Sequence, residues 1–279
     1  MRADENVNRF QTIASPHPKT IHFSAGICYN GAVFTGKGED ITETIRLDRY
    51  LCDLGTATRK DVKRIIRAGR VSVDGKAVTA PETKIDPLTA SVTLDGERLV
   101  WTKHHYYMMN KPSGVLTATE DRRQKTVLDL LPDELRRMGL FPVGRLDRDT
   151  RGLLLLTDDG DFAHRVISPK FAVEKLYDAS VEGNNPDEED AAAFAAGLVL
   201  ADGTKCRSAR LEILGEGRCL VAVTEGRYHQ VKRMLASRGK PVTALKRLSI
   251  GALRLPESLA EGEVVELSEE DLCRVFMVR

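Results

Sequence analysis

The sequence contains no run approaching the ~20 apolar residues that a membrane-spanning helix requires. Its beginning lacks the basic-then-apolar order of a secretory signal, so export is not expected. Cysteine is sparse: Cys28, Cys52, Cys206, Cys219 and Cys273 are scattered, odd in number and never spaced Cys-x-x-Cys. That pattern argues against a zinc site and a disulfide framework, and it fits a reducing cytoplasm. Dinucleotide-binding and Walker signatures are missing too. Net charge is also nearly absent, +1 over 279 residues, and bulk charge therefore announces no polyanionic partner.

The local distribution of charge does. Ile45 to Thr79 carries nine Lys or Arg against four acids, and Glu225 to Arg247 carries seven against one. Leu255 to Cys273 carries seven acids and no base. A neutral chain sorted in this way can present basic surfaces to a nucleic acid, although solvated faces would look the same. The length allows one large or two modest domains with a real core.

Residues 1–44 show no periodicity and are expected to form an extension without regular structure. Order is expected from Ile45. Leu47, Tyr50, Leu51 and Leu54 share one helical face, and Gly55 ends that helix. Thr58 with Asp61 three residues on opens a second helix that buries Val62, Ile65 and Ile66. Its other face carries Arg59, Lys60, Lys63, Arg64 and Arg67, a stripe that repels itself unless solvated or laid along phosphates. Arg70 begins a strand, and Asp74-Gly75 and Asp95-Gly96 mark two-residue hairpins. Lys103-His104-His105 reads as a linker, with the two imidazoles on opposite sides of an extended chain and no metal site.

Beyond the linker the pattern is dominated by strands: Tyr106 to Asn110, Val173 to Val181, Arg207 to Leu214, Arg218 to Thr224 and Pro241 to Ser249. Helices are expected over Asp129 to Leu140, over Phe162 to Ile167 behind an Asp161 cap, over Asp187 to Leu198 and over Tyr228 to Ser237. The fold class is α+β: a small helix-helix-hairpin domain over 45–102 and a larger domain over 105–279 built on a mixed, mainly antiparallel sheet.

Gly144-Arg145-Leu146-Asp147-Arg148-Asp149-Thr150-Arg151-Gly152 precedes four leucines, Leu153 to Leu156, and then Thr157-Asp158-Asp159-Gly160. The leucines read as a buried strand, which pins a charged loop to the rim of the core. Taken as residues alone, Asp147 and Asp149 could simply cap turns and pair with the arginines. The whole stretch, however, resembles the signature of the RsuA-type pseudouridine synthases, which modify ribosomal RNA. Asn110-Lys111-Pro112-Ser113-Gly114 resembles that family's opening motif, and Gly226-Arg227-Tyr228-His229-Gln230-Val231-Lys232-Arg233 resembles a further one. The segment 45–102 resembles an S4 RNA-binding domain.

The resemblance implies that a uridine is isomerised: its glycosidic bond breaks, the uracil turns, and the base rejoins through carbon. No redox change and no group donor are involved, so the resemblance implies that no cofactor is required. The family's aspartate falls on Asp147, acting either as nucleophile at the sugar or as a base that removes a sugar proton to give a glycal. Its partner cation falls on Lys232, needed because burial alone would raise the pKa of the acid. Arg145 matches the arginine that holds the flipped nucleotide or fills its place, Tyr177 the tyrosine that stacks on the base, and Val231 an apolar wall. Tyr228, His229 and Gln230 are expected to shape the site. Arg59, Lys60, Lys63, Arg64, Arg67, Arg70 and Arg227 are the expected contacts to RNA backbone.

The stretch after Glu225 looks most like the small-subunit (16S) enzymes, with a large-subunit (23S) enzyme of the same family as the alternative. A non-catalytic S4-type assembly factor is the reading from another class; it leaves the aspartate loop without a purpose. The partner is ribosomal RNA or an assembling subunit, and the chain is expected to act as a monomer.

Overall fold

The computed structural model describes residues 26–29, 32–35 and 44–277. Within the stretch read as lacking regular structure it describes one antiparallel hairpin, Gly26–Tyr29 with Ala32–Thr35. The rest of that stretch, 1–25, 30–31 and 36–43, lies outside the described residues.

The smaller unit starts with helices Leu47–Asp53 and Arg59–Arg67. Thr58 caps the second: its Oγ1 accepts from the Asp61 N–H at 3.3 Å and donates to the Asp61 carboxylate at 2.7 Å. Leu47, Tyr50, Leu51, Val62 and Ile66 are buried together, whereas Ile65 is only half covered. A four-stranded antiparallel sheet runs in the order Lys76–Val78, Val71–Val73, Val92–Leu94, Glu97–Leu99. Its two tight turns place Asp74-Gly75 and Asp95-Gly96 at positive φ, the conformation that such hairpins demand.

The larger unit is one mixed sheet. Its strands lie in the order Arg210–Gly215, Arg218–Val223, Lys175–Val181, Val242–Ile250, Arg151–Thr157, Tyr106–Lys111, Val264–Glu266. Arg151–Thr157 runs parallel to Val242–Ile250, with Gly152 opposite Arg247; the other pairings along this order are antiparallel. The leucine strand is covered on both faces. Leu153 and Leu155 pack with Phe162, Val166 and Ile250 on one side, and Leu154 and Leu156 with Tyr107, Val127 and Leu146 on the other. A second core under Glu188–Ala196 and Gln230–Ala236 gathers Phe194, Val221, Val223, Val231, Met234 and Leu245.

Three local expectations are corrected. The helix expected over Asp129 to Leu140 is a 3-10 turn, Leu128–Leu130, followed by a short helix, Asp133–Arg137. Leu131 between them is extended because the ring of Pro132 disfavours helical backbone in the residue before it. The helix Gly160–Ile167 is capped by Asp159, which accepts from the Phe162 N–H at 3.0 Å, and not by Asp161. His104 and His105 do not diverge: both Nδ1 atoms reach Asp158, at 3.3 and 2.9 Å. No helix among the described residues is long and apolar enough to cross a membrane.

Candidate active site

The loop Gly144 to Thr150 hangs between strands and is held from three directions. Thr117 Oγ1 donates to the Leu146 carbonyl at 2.7 Å and accepts the Leu146 N–H at 3.2 Å. The Thr150 N–H closes a turn on the Asp147 carbonyl at 3.1 Å. From below, the ammonium of Lys111 donates to the carbonyls of Pro112, Arg148 and Thr150 at 2.9, 3.2 and 3.0 Å. Lys111 is fully buried, so these three bonds replace its water. Burial pushes its pKa down to about 8, opposed by the carboxylates of Asp149 and Asp147. Lys111 lies within the motif Asn110 to Gly114, but the sequence does not show it as a brace, because the carbonyls it binds come mostly from a remote loop.

Gly152 lets the loop enter the sheet. At φ +101° it lies against the backbone of Arg247, and a Cβ there would come within 2.3 Å of the Arg247 carbonyl oxygen. This close approach sets the parallel seam and brings the aspartate loop beside the helix Gln230–Ala236.

Asp147 and Lys232 meet across that gap. Lys232 Nζ lies 3.2 Å from Asp147 Oδ2 and 2.6 Å from Asp149 Oδ1. Burial alone would lower the lysine, but the hydrogen bonds to Asp149 and Asp147 outweigh it and hold the amine above its ordinary value. The same lysine bond holds Asp149 below the usual carboxylate range. One ammonium is therefore shared by two acids, of which Asp149 is the more exposed. His229 adds a second nitrogen, its Nε2 lying 3.4 Å from Asp147 Oδ1.

A groove over this cluster is lined by Arg145, Asp147, Tyr177, Val231 and Lys232 together with Thr150, Val223, Glu225, Arg227, His229, Gln230 and Leu245. The residues expected around the carboxylate are thus drawn from three elements to one depression. Val231 is buried and faces the core as well as the groove; Arg145 is exposed on the rim. Tyr177 is half-buried, its hydroxyl 3.4 Å from Nη1 of Arg247. Arg247, missed by sequence reasoning, is buried and donates Nε–H to the Leu153 carbonyl at 2.7 Å. Glu225 is buried and accepts from Arg227 Nε at 3.0 Å, Gln230 Nε2 at 2.8 Å and the Arg207 N–H at 2.9 Å. Among the described residues no cluster of three or more His, Cys, Asp or Glu side chains is arranged to hold a metal ion.

The basic residues expected to touch RNA do not all lie together. Arg59, Lys60, Lys63, Arg64 and Arg67 form an exposed stripe on one helix, with Arg64 paired to Asp61 at 3.1 Å. Arg70 is forked onto Asp95, with one bond at 2.8 Å. Arg227 belongs to the groove and is tied to Glu225. Arg70 and Arg227 therefore have carboxylate partners already, which the local sequence did not reveal.

The larger unit thus carries a half-buried carboxylate–ammonium pair in a groove, and the smaller unit an exposed basic stripe. Residues 105–237 match the family model described as RNA pseudouridylate synthase, and 45–87 match that of the S4 domain. The chain is 45% identical over 232 residues to an uncharacterised RNA pseudouridine synthase, YtzG, of Bacillus subtilis (strain 168), covering 82% of this chain and 97% of that protein. It is 39% identical over 234 residues to ribosomal small subunit pseudouridine synthase A of Vibrio cholerae, covering 83% and 100%. A crystal structure of a pseudouridylate synthase superposes with a TM-score of 0.59 at 35% identity, covering 83% of this chain and 99% of that one. The chain belongs to the RNA pseudouridine synthases of the RsuA type, enzymes that carry an S4 domain ahead of the catalytic one.

Proposed function

We propose that this protein isomerises one uridine of small-subunit (16S) ribosomal RNA to pseudouridine, with Asp147 as the catalytic carboxylate. The observation that carries the reading is the Asp147–Lys232 contact of 3.2 Å at the floor of a groove walled by Tyr177 and Val231. The lysine sets a cation 3.2 Å from the carboxylate, where an entering base would displace water. Tyr177 offers its ring to the uracil, Val231 an apolar wall, and Arg145 a cation at the rim for the everted nucleotide. The exposed stripe of Arg59, Lys60, Lys63, Arg64 and Arg67 holds rRNA backbone, with Arg70 and Arg227 as further contacts.

On this reading 45–102 is the RNA-binding unit, 105–279 the catalytic unit and 1–44 an extension. The protein works as a monomer in the cytoplasm, without a cofactor, on rRNA or an assembling subunit. The small-subunit assignment is supported by the name of the Vibrio cholerae relative. Two experiments test it. Wild type should release tritium from 5-tritiated uridine in transcribed 16S rRNA, and Asp147→Asn should release none; equal release removes Asp147 from its role. Chemical mapping of pseudouridine in rRNA from a deletion strain should show one site missing from 16S; a loss confined to 23S rRNA would overturn the subunit assignment.

A further inference from the structure

Tyr228 is 71% exposed and stands between Arg227 and His229, which both line the groove. Its ring stacks on His229, with centroids 3.8 Å apart and planes 19° from parallel. His229 in turn lies 3.4 Å from the Asp147 carboxylate. The pair therefore continues the wall of the groove outward from the reacting group to solvent. Tyr50, Tyr106, Tyr107 and Tyr177 each have a hydroxyl partner, in Leu99, Asp159, Met138 and Arg247. Among the described residues no hydrogen bond involves the Tyr228 hydroxyl, and the ring is absent from the buried cores. Packing does not account for it.

The backbone beneath the pair is held in an uncommon shape. His229 sits in the left-handed region at φ +49°, ψ +34°, as a non-glycine residue at the start of the helix Gln230–Ala236. Such conformations cost energy and persist where the surroundings demand a particular aim for the side chain. Here the turn faces the imidazole toward Asp147 while Tyr228 lies flat against it. A flat, exposed, two-ring stack beside a groove with an exposed arginine, Arg145, on its rim is the chemistry that receives an unstacked nucleobase. The groove itself is already allotted to the target uridine.

We propose that Tyr228, backed by His229, is a stacking platform for the nucleobase next to the target uridine, so that two adjacent bases leave the stack when the RNA binds. The inference rests on the reading of the groove as a pseudouridine synthase site. The platform lies outside the reacting centre and acts on binding. Because every base has a π-face, it tolerates any base at that position, and it rewards RNA that opens easily beside the target.

The test is a coupling cycle on a transcribed 16S fragment that wild type converts. Wild type, Tyr228→Ala, Tyr228→Phe and Tyr228→Trp are each assayed on the intact fragment and on versions abasic at the 5′ or the 3′ neighbour of the target. Tyr228→Ala should raise KM roughly tenfold with kcat within about twofold. Phe and Trp, which keep a ring, should recover most of the affinity. One abasic neighbour should raise the wild-type KM by a similar factor and add nothing in Tyr228→Ala. Independent, multiplying losses at both neighbours, or an unchanged KM in Tyr228→Ala, overturn the platform. If wild type converts no uridine in any 16S fragment, the functional reading has failed instead.

Discussion

At the scale of single residues the site turns on how one ammonium is divided. Lys232 lies closer to Asp149 than to Asp147, yet Asp149 is mostly in water, where an ion pair is worth little. Asp147 is the better covered of the two, so loss of the lysine should be felt there. Lys232→Met is expected to lower kcat on the order of a hundredfold while leaving the affinity for RNA within a few-fold. Single-turnover rates and filter binding would separate the two quantities; retained turnover would remove the pairing from catalysis. Chain position alone did not disclose this sharing, since nothing in Gly144 to Gly152 says which acid faces the helix. Lys111 was illegible for a related reason. A lysine at the end of an apolar strand looks like a solvated terminus, and its burial follows only from the carbonyls of Arg148 and Thr150 folding over it.

At the scale of elements, the parts written in local chemistry were readable. Asp74-Gly75 and Asp95-Gly96 supply the positive φ that two-residue hairpins need, and Leu153 to Leu156 are apolar on both faces because both faces are covered. Pro132 fits the first turn of the expected helix, but its ring also keeps Leu131 extended, so the segment divides into a 3-10 turn and a short helix. The parallel seam was not readable at all, because a glycine shows no pairing preference until its neighbour is known. Gly152→Ala tests that seam. The added methyl would meet the backbone of Arg247 at 2.3 Å, and φ +101° is hostile to any side chain. A loss of about 3 kcal/mol or more in urea unfolding is expected, with activity falling in parallel. A variant with an unchanged midpoint would show that the two strands can part without cost.

At the scale of the whole molecule, the two units meet through a polar clasp and a close backbone contact. Gly55 lies against the helix Asp133–Arg137, where a Cβ would come within 2.5 Å of the Glu134 carbonyl, and Arg137 Nε–H donates to the Gly55 carbonyl at 3.0 Å. Nearby, Asp158 takes both the backbone N–H and the ring of His105, at 2.8 and 2.9 Å. Burial pushes the Asp158 carboxyl up, but these hydrogen bonds outweigh it and its pKa lies below the ordinary value. A depressed acid stabilises the fold above the unfolded-chain pKa of about 3.9, and that contribution is lost as pH falls through the folded value. Asp158→Asn is expected to lower Tm by several degrees near pH 7, with the gap to wild type closing below about pH 3. A gap that persists unchanged in acid would assign the loss to packing. The cationic stripe also acts at this scale. Lys60→Ala with Lys63→Ala should weaken RNA binding uniformly across sequences and flatten its dependence on log salt by about two, roughly one for each lost phosphate contact. A salt slope equal to that of wild type would place both lysines away from the RNA.

The parallel seam has a further consequence for the order in which the molecule is completed. Arg151–Thr157 emerges from synthesis long before Val242–Ile250, its neighbour in the finished sheet. Until the later strand has been made, Gly152 has no Arg247 backbone to rest on. A growing chain therefore leaves the loop before Gly152 without its seat until the strand that supports it has been made.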